Sequence, residues 1–267
     1  MIRQPAVAGR FYPADPEKLI HDLDRFLVAS AERTRALGCV VPHAGYLYSG
    51  HVAGAVFARM QPVERYIILC PNHTGLGESL AIMSSGAWQT PLGDVPADPE
   101  LAAELKKACH LLAEDEAAHR LEHSLEVQLP FLQRLHRQFH FVPIAVGVSR
   151  FAPLEALGEA IGRVLAASKV PTVVVASSDM NHYESDSVTR VKDRKALDQI
   201  LALNPRGLYD TVRSEGITMC GYGPATVMLT AACHLGATTA ELVRYATSGD
   251  VTGERDEVVG YAGVVVS

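Results

Sequence analysis

Thr172-Val173-Val174-Val175-Ala176-Ser177-Ser178-Asp179-Met180-Asn181-His182 begins as a β-branched apolar run and ends as a polar turn. An apolar run of that length, rich in valine and closed by turn-forming residues, reads as a buried strand. The pattern occurs twice upstream. Cys39-Val40-Val41 runs into Pro42-His43-Ala44-Gly45-Tyr46, and Tyr66-Ile67-Ile68-Leu69-Cys70 runs into Pro71-Asn72-His73-Thr74-Gly75. Further strands are expected over 141–146, 242–245 and 258–266. Helical periodicity is clearest over 16–28, 99–112, 124–137, 153–167, 189–203 and 224–235. Asp15-Pro16, Asp98-Pro99 and Gly223-Pro224 place proline in a first helical turn, where its missing N–H costs nothing. Pro130 should kink or shorten the helix over 124–137, and Pro143 suits an edge or a bulge better than a central ladder position. The alternation predicts an α/β fold, a single domain over 1–267 with a central, largely parallel or mixed sheet flanked by helices.

A chain of 267 residues is near the upper size for one core. Its 24 Lys+Arg against 30 Asp+Glu leave a net charge of -6, which gives no reason to expect nucleic acid as a partner. No apolar run reaches the roughly 18 residues that span a bilayer, and the N-terminus lacks the apolar stretch of a secretory signal. Five cysteines, odd in number and spread out, do not form a disulfide framework and suit a reducing cytoplasm.

In open α/β sheets ligands bind beyond the carboxyl ends of the strands. Three expected strands each deliver a histidine there: His43, His73 and His182. A lone histidine in a turn is more often a surface or hydrogen-bonded residue than a ligand. Three imidazoles converging on one cleft instead suit metal ligation or acid–base work. Glu122-His123-Ser124-Leu125-Glu126 adds a fourth segment, in which His123 and Glu126, three apart on a helix, share a face. The plainer reading makes Ser124 a helix cap with Glu126 near the positive terminus; both readings can hold.

Cys39, Cys70, Cys109 and Cys233 read as small core residues. Cys220 differs, because it stands in Thr218-Met219-Cys220-Gly221-Tyr222-Gly223-Pro224, ahead of a helix whose N-terminus should lower the thiol's pKa. Ser177, Ser178, Asp179 and His182 are too crowded on one loop to form a hydrolytic triad. There is no Gly-x-Ser-x-Gly elbow, no phosphate-binding glycine loop and no Cys-x-x-Cys pair.

Six ordered blocks carry a resemblance. They are Arg3-Gln4-Pro5-Ala6-Val7-Ala8-Gly9-Arg10-Phe11-Tyr12-Pro13, Pro42 through Gly50, Pro71-Asn72-His73, Glu122 through Phe131, Ser177 through Tyr183, and Cys220-Gly221. Together they span nearly the whole chain, which resembles the Memo-like family: the mediator-of-cell-motility proteins and their bacterial and archaeal relatives. The resemblance implies a domain similar to the class III extradiol dioxygenases. It implies a metal held by His43, His73 and Cys220, with His182 as general acid–base, Asp179 orienting it or bonding within its loop, and His123 and Glu126 lining or ordering the pocket. Fe(II) is the implied ion. A thiolate among the ligands admits Cu or Zn as well and departs from the two-histidine, one-carboxylate arrangement. The partners implied are a small molecule or peptide, with radical-SAM and AMMECR-type proteins as functional associates. The activity expected is oxygen- or redox-dependent. The alternatives are a non-catalytic module binding a peptide or small anion, and a zinc-dependent hydrolase.

Overall fold

The structure is a computed structural model that describes residues 1–28, 32–136 and 138–267. In chain order the first elements are β1 (Ile2–Arg3), α1 (Pro16–Phe26), β2 (Gly38–Val41), α2 (Tyr46–Arg59), β3 (Arg65–Pro71), β4 (Leu80–Ile82), β5 (Ala87–Thr90) and β6 (Gly93–Pro96). Then come α3 (Pro99–Ala108), β7 (Ala113–Glu114), α4 (Ala117–Arg120), α5 (His123–Glu126), α6 (Leu129–Leu135), β8 (His140–Val146) and α7 (Phe151–Ala167). The last are β9 (Thr172–Ser177), β10 (His182–Glu184), α8 (Asp186–Leu201), α9 (Pro205–Ser214), α10 (Tyr222–His234), β11 (Ala240–Thr247), α11 (Gly249–Thr252) and β12 (Val258–Val266).

The large sheet runs β10-β12-β2-β9-β3-β8-β4-β7, with β11 also paired to β12. Its centre, β2-β9-β3-β8, is parallel, while β12 and β4 join it antiparallel. The fold is therefore mixed α/β, and a small second sheet, β1-β5-β6, stands apart. Alternate residues of the central strands feed two cores. Val40, Ile67, Leu69, Val174 and Ala176 face the layer containing α7 and α10, whereas Cys39, Val41, Ile68, Cys70, Val173 and Val175 face the layer containing α1, α2 and α6. This period of two makes burial on both sides of the sheet readable from the strands.

The proline-led helix starts are present: Asp15 accepts from Lys18 N at 2.9 Å and Asp98 from Leu101 N at 2.9 Å. Several expectations need correction. The helix over 124–137 is two short helices, α5 and α6, parted at Val127-Gln128 because Pro130 in the first turn of α6 has no N–H to continue the ladder. Its expected end, Arg137, lies outside the described residues. The cap of α5 is Glu122, whose side chain accepts from Ser124 N, so Ser124 is not the cap. Pro143 stands in β8 between β3 and β4, opposite Ile68, and not at an edge or a bulge. The paired register with β4 ends at Ile144↔Ile82; one step on, Pro143 O still accepts from Met83 N at 3.4 Å, but the proline has no N–H to return the bond. Cys233 is exposed rather than core. Among the described residues, no helix is long and apolar enough to cross a membrane.

Candidate metal centre

The carboxyl ends of β2, β3 and β9 lie side by side, because β9 pairs with both of the others in parallel. His43 follows β2 by two residues and His73 follows β3 by two. His123 opens α5, and Cys220 precedes Gly221, the N-cap of α10. One ring nitrogen from each of His43, His73 and His123 lies within 4.8 Å of the others. His73 and His123 stack with ring centroids 4.9 Å apart, and His43 stands edge-on to both, at 5.2 and 5.5 Å. Cys220 Sγ is 3.2 Å from His43 Nε2. The structure thus gathers four donors from four separated segments. His123, expected only at the pocket wall, stands among the imidazole donors themselves.

Hydrogen bonds set which ring nitrogen is free. Ser177 Oγ gives its proton to Ser124 O at 2.6 Å, so it accepts from His43 Nδ1 at 2.9 Å. That leaves the lone pair of His43 on Nε2, facing Cys220. His73 Nδ1 lies 2.9 Å from Glu122 Oε1, while Glu122 Oε2 accepts from His73 N at 2.7 Å. Burial opposes ionisation of Glu122, but hydrogen bonds from His73 and Ser124 outweigh it and hold its carboxyl down to about 2. The carboxylate therefore draws the proton of His73 to Nδ1 and frees Nε2. A carboxylate or hydroxyl behind each imidazole is the usual support of a metal-binding histidine.

Burial, and then the neighbouring His73, His123 and His182, drives the pKa of His43 well below the ordinary histidine value. Burial also lowers His123, although Glu122 resists. Neutral imidazoles are the form that binds a metal. Cys220 departs from its expected depression. Burial pushes the thiol up and Asp179 adds to that, outweighing backbone N–H donors from Asp179 and Gly221.

Asp179 does not orient His182: it bonds within its own loop only through its backbone, where its carbonyl accepts from Ser178 Oγ at 2.7 Å, and its carboxylate is turned away from His182. Its Oδ1 accepts from His43 N at 2.7 Å and Ala44 N at 3.3 Å, bracing the His43 turn, and its backbone N–H donates to Cys220 Sγ at 3.3 Å. Burial pushes its carboxyl up to about 7 against those two donors. His182 is held instead by Thr218, whose carbonyl lies 3.0 Å from Nδ1 and whose Oγ1 accepts from His182 N at 2.7 Å. It stays outside the tight trio but close enough for its charge to be felt at His43. Glu126 is fully buried, and the donors to its oxygens are Arg3, Ala6 N, Val7 N and Tyr12 Oη. It orders the N-terminal segment and takes no bond from an imidazole.

Sequence reading gave no role to Glu122, Gln128 or Thr218, and weighed Ser177 only as a member of a hydrolytic triad. Gln128 Nε2 donates to Ser177 Oγ at 2.9 Å and to Pro42 O at 3.0 Å, tying β9 to the His43 turn. One signal for Glu122 was available: an acidic residue beside His123 at the start of an apolar helix, where burial of the helix buries the acid too.

A family profile described as "Memo-like protein" matches residues 3–265. The chain belongs to the Memo-like family. Curated relatives agree over full length. A MEMO1 family protein of Methanopyrus kandleri is 43% identical, with 99% of each chain covered, and one of Methanosarcina mazei is 42% identical at the same coverage. Among solved structures, the uncharacterized protein JW3007 from Escherichia coli K12 superposes with a TM-score of 0.62 at 12% identity, covering 86% of this Memo-like chain and 100% of that one. At that identity the likeness shows the fold alone.

Proposed function

We propose that this Memo-like chain holds one transition-metal ion between His43, His73, His123 and Cys220, and that it serves as a redox-dependent oxidoreductase. The observation that carries the reading is the trio of imidazole nitrogens within 4.8 Å, with hydroxyl or carboxylate support behind His43 and His73. The donor set fits such an ion, since imidazoles and a thiol suit iron(II), copper and zinc, and a cluster of this composition has no comparable use as a core. Iron(II) is the ion proposed, and when bound it would supply one-electron chemistry toward oxygen or a substrate. Cys220 lies against His43 as the fourth donor, and its raised pKa requires it to lose a proton on binding. His182 would move a proton at Nε2, because Nδ1 is turned toward the Thr218 carbonyl. Asp179 would keep the His43 turn in place.

The substrate proposed is a small molecule or a peptide side chain that reaches the half-exposed side of the cluster at His73 and His123. Association with radical-SAM and AMMECR-type proteins is proposed on the family resemblance alone. A cytoplasmic setting is proposed on the five free thiols.

Element analysis of untagged protein purified without oxygen tests the reading. The expected result is about one iron per chain, lost in His43→Ala, His73→Ala and Cys220→Ala while the fold is retained. Full metal occupancy in those variants would end the proposal. Zinc in place of iron, with turnover unaffected by removing oxygen, would turn it to hydrolysis.

A further inference from the structure

Glu126 lies one turn beyond His123 and is fully buried, and its donors all come from the first twelve residues. Ala6 N donates at 2.8 Å, Val7 N at 3.1 Å and Tyr12 Oη at 2.5 Å, and the Arg3 guanidinium closes on the same carboxylate. Arg3 then grips the loop on the other side of His123. Its Nε donates to His119 O at 3.1 Å and its terminal nitrogen to Glu122 O at 2.7 Å, while the guanidinium lies 4.2 Å over the Trp88 ring. Further along, Phe11 sets its ring edge-on to His123 at 4.8 Å, and its carbonyl accepts from Tyr46 N at 2.7 Å. Tyr46 is three residues past His43. One segment with little structure of its own therefore touches two of the three loops that carry the imidazole trio, those of His43 and His123. Without it, a fully buried carboxylate would lose its donors, and α5, four residues long, has no ladder long enough to hold His123 by itself.

We propose that residues 3–12 form a strap that positions His123, and that ordering of the strap and binding of the metal are linked, each strengthening the other. The strap acts through Glu126 and Phe11, which are positioning residues that need not touch the ion. The linkage is reciprocal by thermodynamic necessity: if the strap improves metal affinity, the metal must hold the strap more tightly. This proposal rests on the metal-site reading above.

Cobalt(II) added to the untagged full-length chain is the probe. Its affinity is read by competition with a chromophoric chelator, its donor set by visible absorption, and strap order by hydrogen exchange over residues 1–12 with and without the ion. Cobalt(II) should slow exchange at the Ala6 and Val7 amides. Glu126→Gln should weaken cobalt(II) by about tenfold and alter the absorption, a size typical of lost support behind a ligand. Phe11→Leu leaves the carboxylate cluster whole and should alter the absorption in the same sense, so it carries the test if Glu126→Gln does not fold. Asn204→Ala, which removes the side-chain cap of α9, should lower stability without touching cobalt(II) affinity or absorption. Wild-type affinity and absorption in both strap variants, or identical exchange with and without cobalt(II), would overturn the strap and leave the metal site standing. An equal loss in Asn204→Ala would also overturn it, since the effect would then be global stability. A wild-type chain that takes up no cobalt(II) overturns the metal reading itself, and the linkage with it.

Discussion

Glu122 stands behind His73 with its carboxylate fully buried, bonded to His73 at both the backbone N–H and Nδ1, and 3.5 Å from His123 Nδ1. One side chain thus sets the tautomer of one imidazole and lies against a second. Glu122→Gln keeps the size but loses the charge that draws the proton onto Nδ1. It should weaken metal binding about 10–100-fold, measured by chelator competition, with the fold retained by circular dichroism. At this scale much was legible. His43, His73 and His182 are visible because each follows a valine- or isoleucine-rich run. Cys220 is visible because glycines surround it. For Glu122 only its place at the start of an apolar helix is legible; that it is covered by the His73 loop, 49 residues away, is a property of the fold.

Short elements, and the breaks between them, decide where the donors point. The apolar pattern over 124–137 reads as one helix, but Pro130 divides it, and the break lets α5 turn His123 toward His43 while α6 packs Phe131 against Phe57 and Tyr46. α2 escaped sequence reading because it is covered on nearly every side, so its apolar residues show no period to detect. Gly221 illustrates an element-scale requirement. A Cβ there would collide with the Ser177 carbonyl at the end of β9 and with the Ser178 side chain. The glycine is what allows the start of α10 to close on β9 and bring Cys220 to His43. Gly221→Ala should therefore cost about 1–3 kcal/mol of stability, the usual range for overpacking. It should also lower metal uptake; a variant with wild-type unfolding midpoint and metal content would count against this role.

The whole molecule joins these elements through buried polar clasps as well as apolar layers. Asp193 of α8 is fully buried, with Oδ1 accepting from Asn181 N at 2.8 Å and Oδ2 from Tyr245 Oη at 2.7 Å, so it ties α8 to the His182 loop and to β11. Burial pushes its carboxyl up to about 7, against the bonds from Tyr245 and Asn181. The folded state therefore holds a proton that the unfolded chain releases near pH 4. The stability linked to that proton is complete below about pH 4 and is lost as the pH rises through about 7, by an amount on the order of 4 kcal/mol. Asp193→Asn should flatten this part of the profile, destabilising more at pH 5 than at pH 8 when unfolding midpoints are compared across that range. Parallel slopes for variant and wild type would show that Asp193 is ionised in the fold throughout.

The sequence by itself determined the α/β class, the central strands and the placing of three histidines beyond their carboxyl ends. Those properties follow from local composition: β-branched runs, turn residues and helix starts act over a few residues. Only the tertiary structure decided that His123 joins His43 and His73, that Asp179 braces the His43 turn instead of His182, and that Glu126 fastens the N-terminal segment. Each of these depends on sheet order and on contacts between segments some 50 to 136 residues apart. Such contacts depend on which loops the fold brings together and which polar groups it strips of water, and no local pattern encodes that.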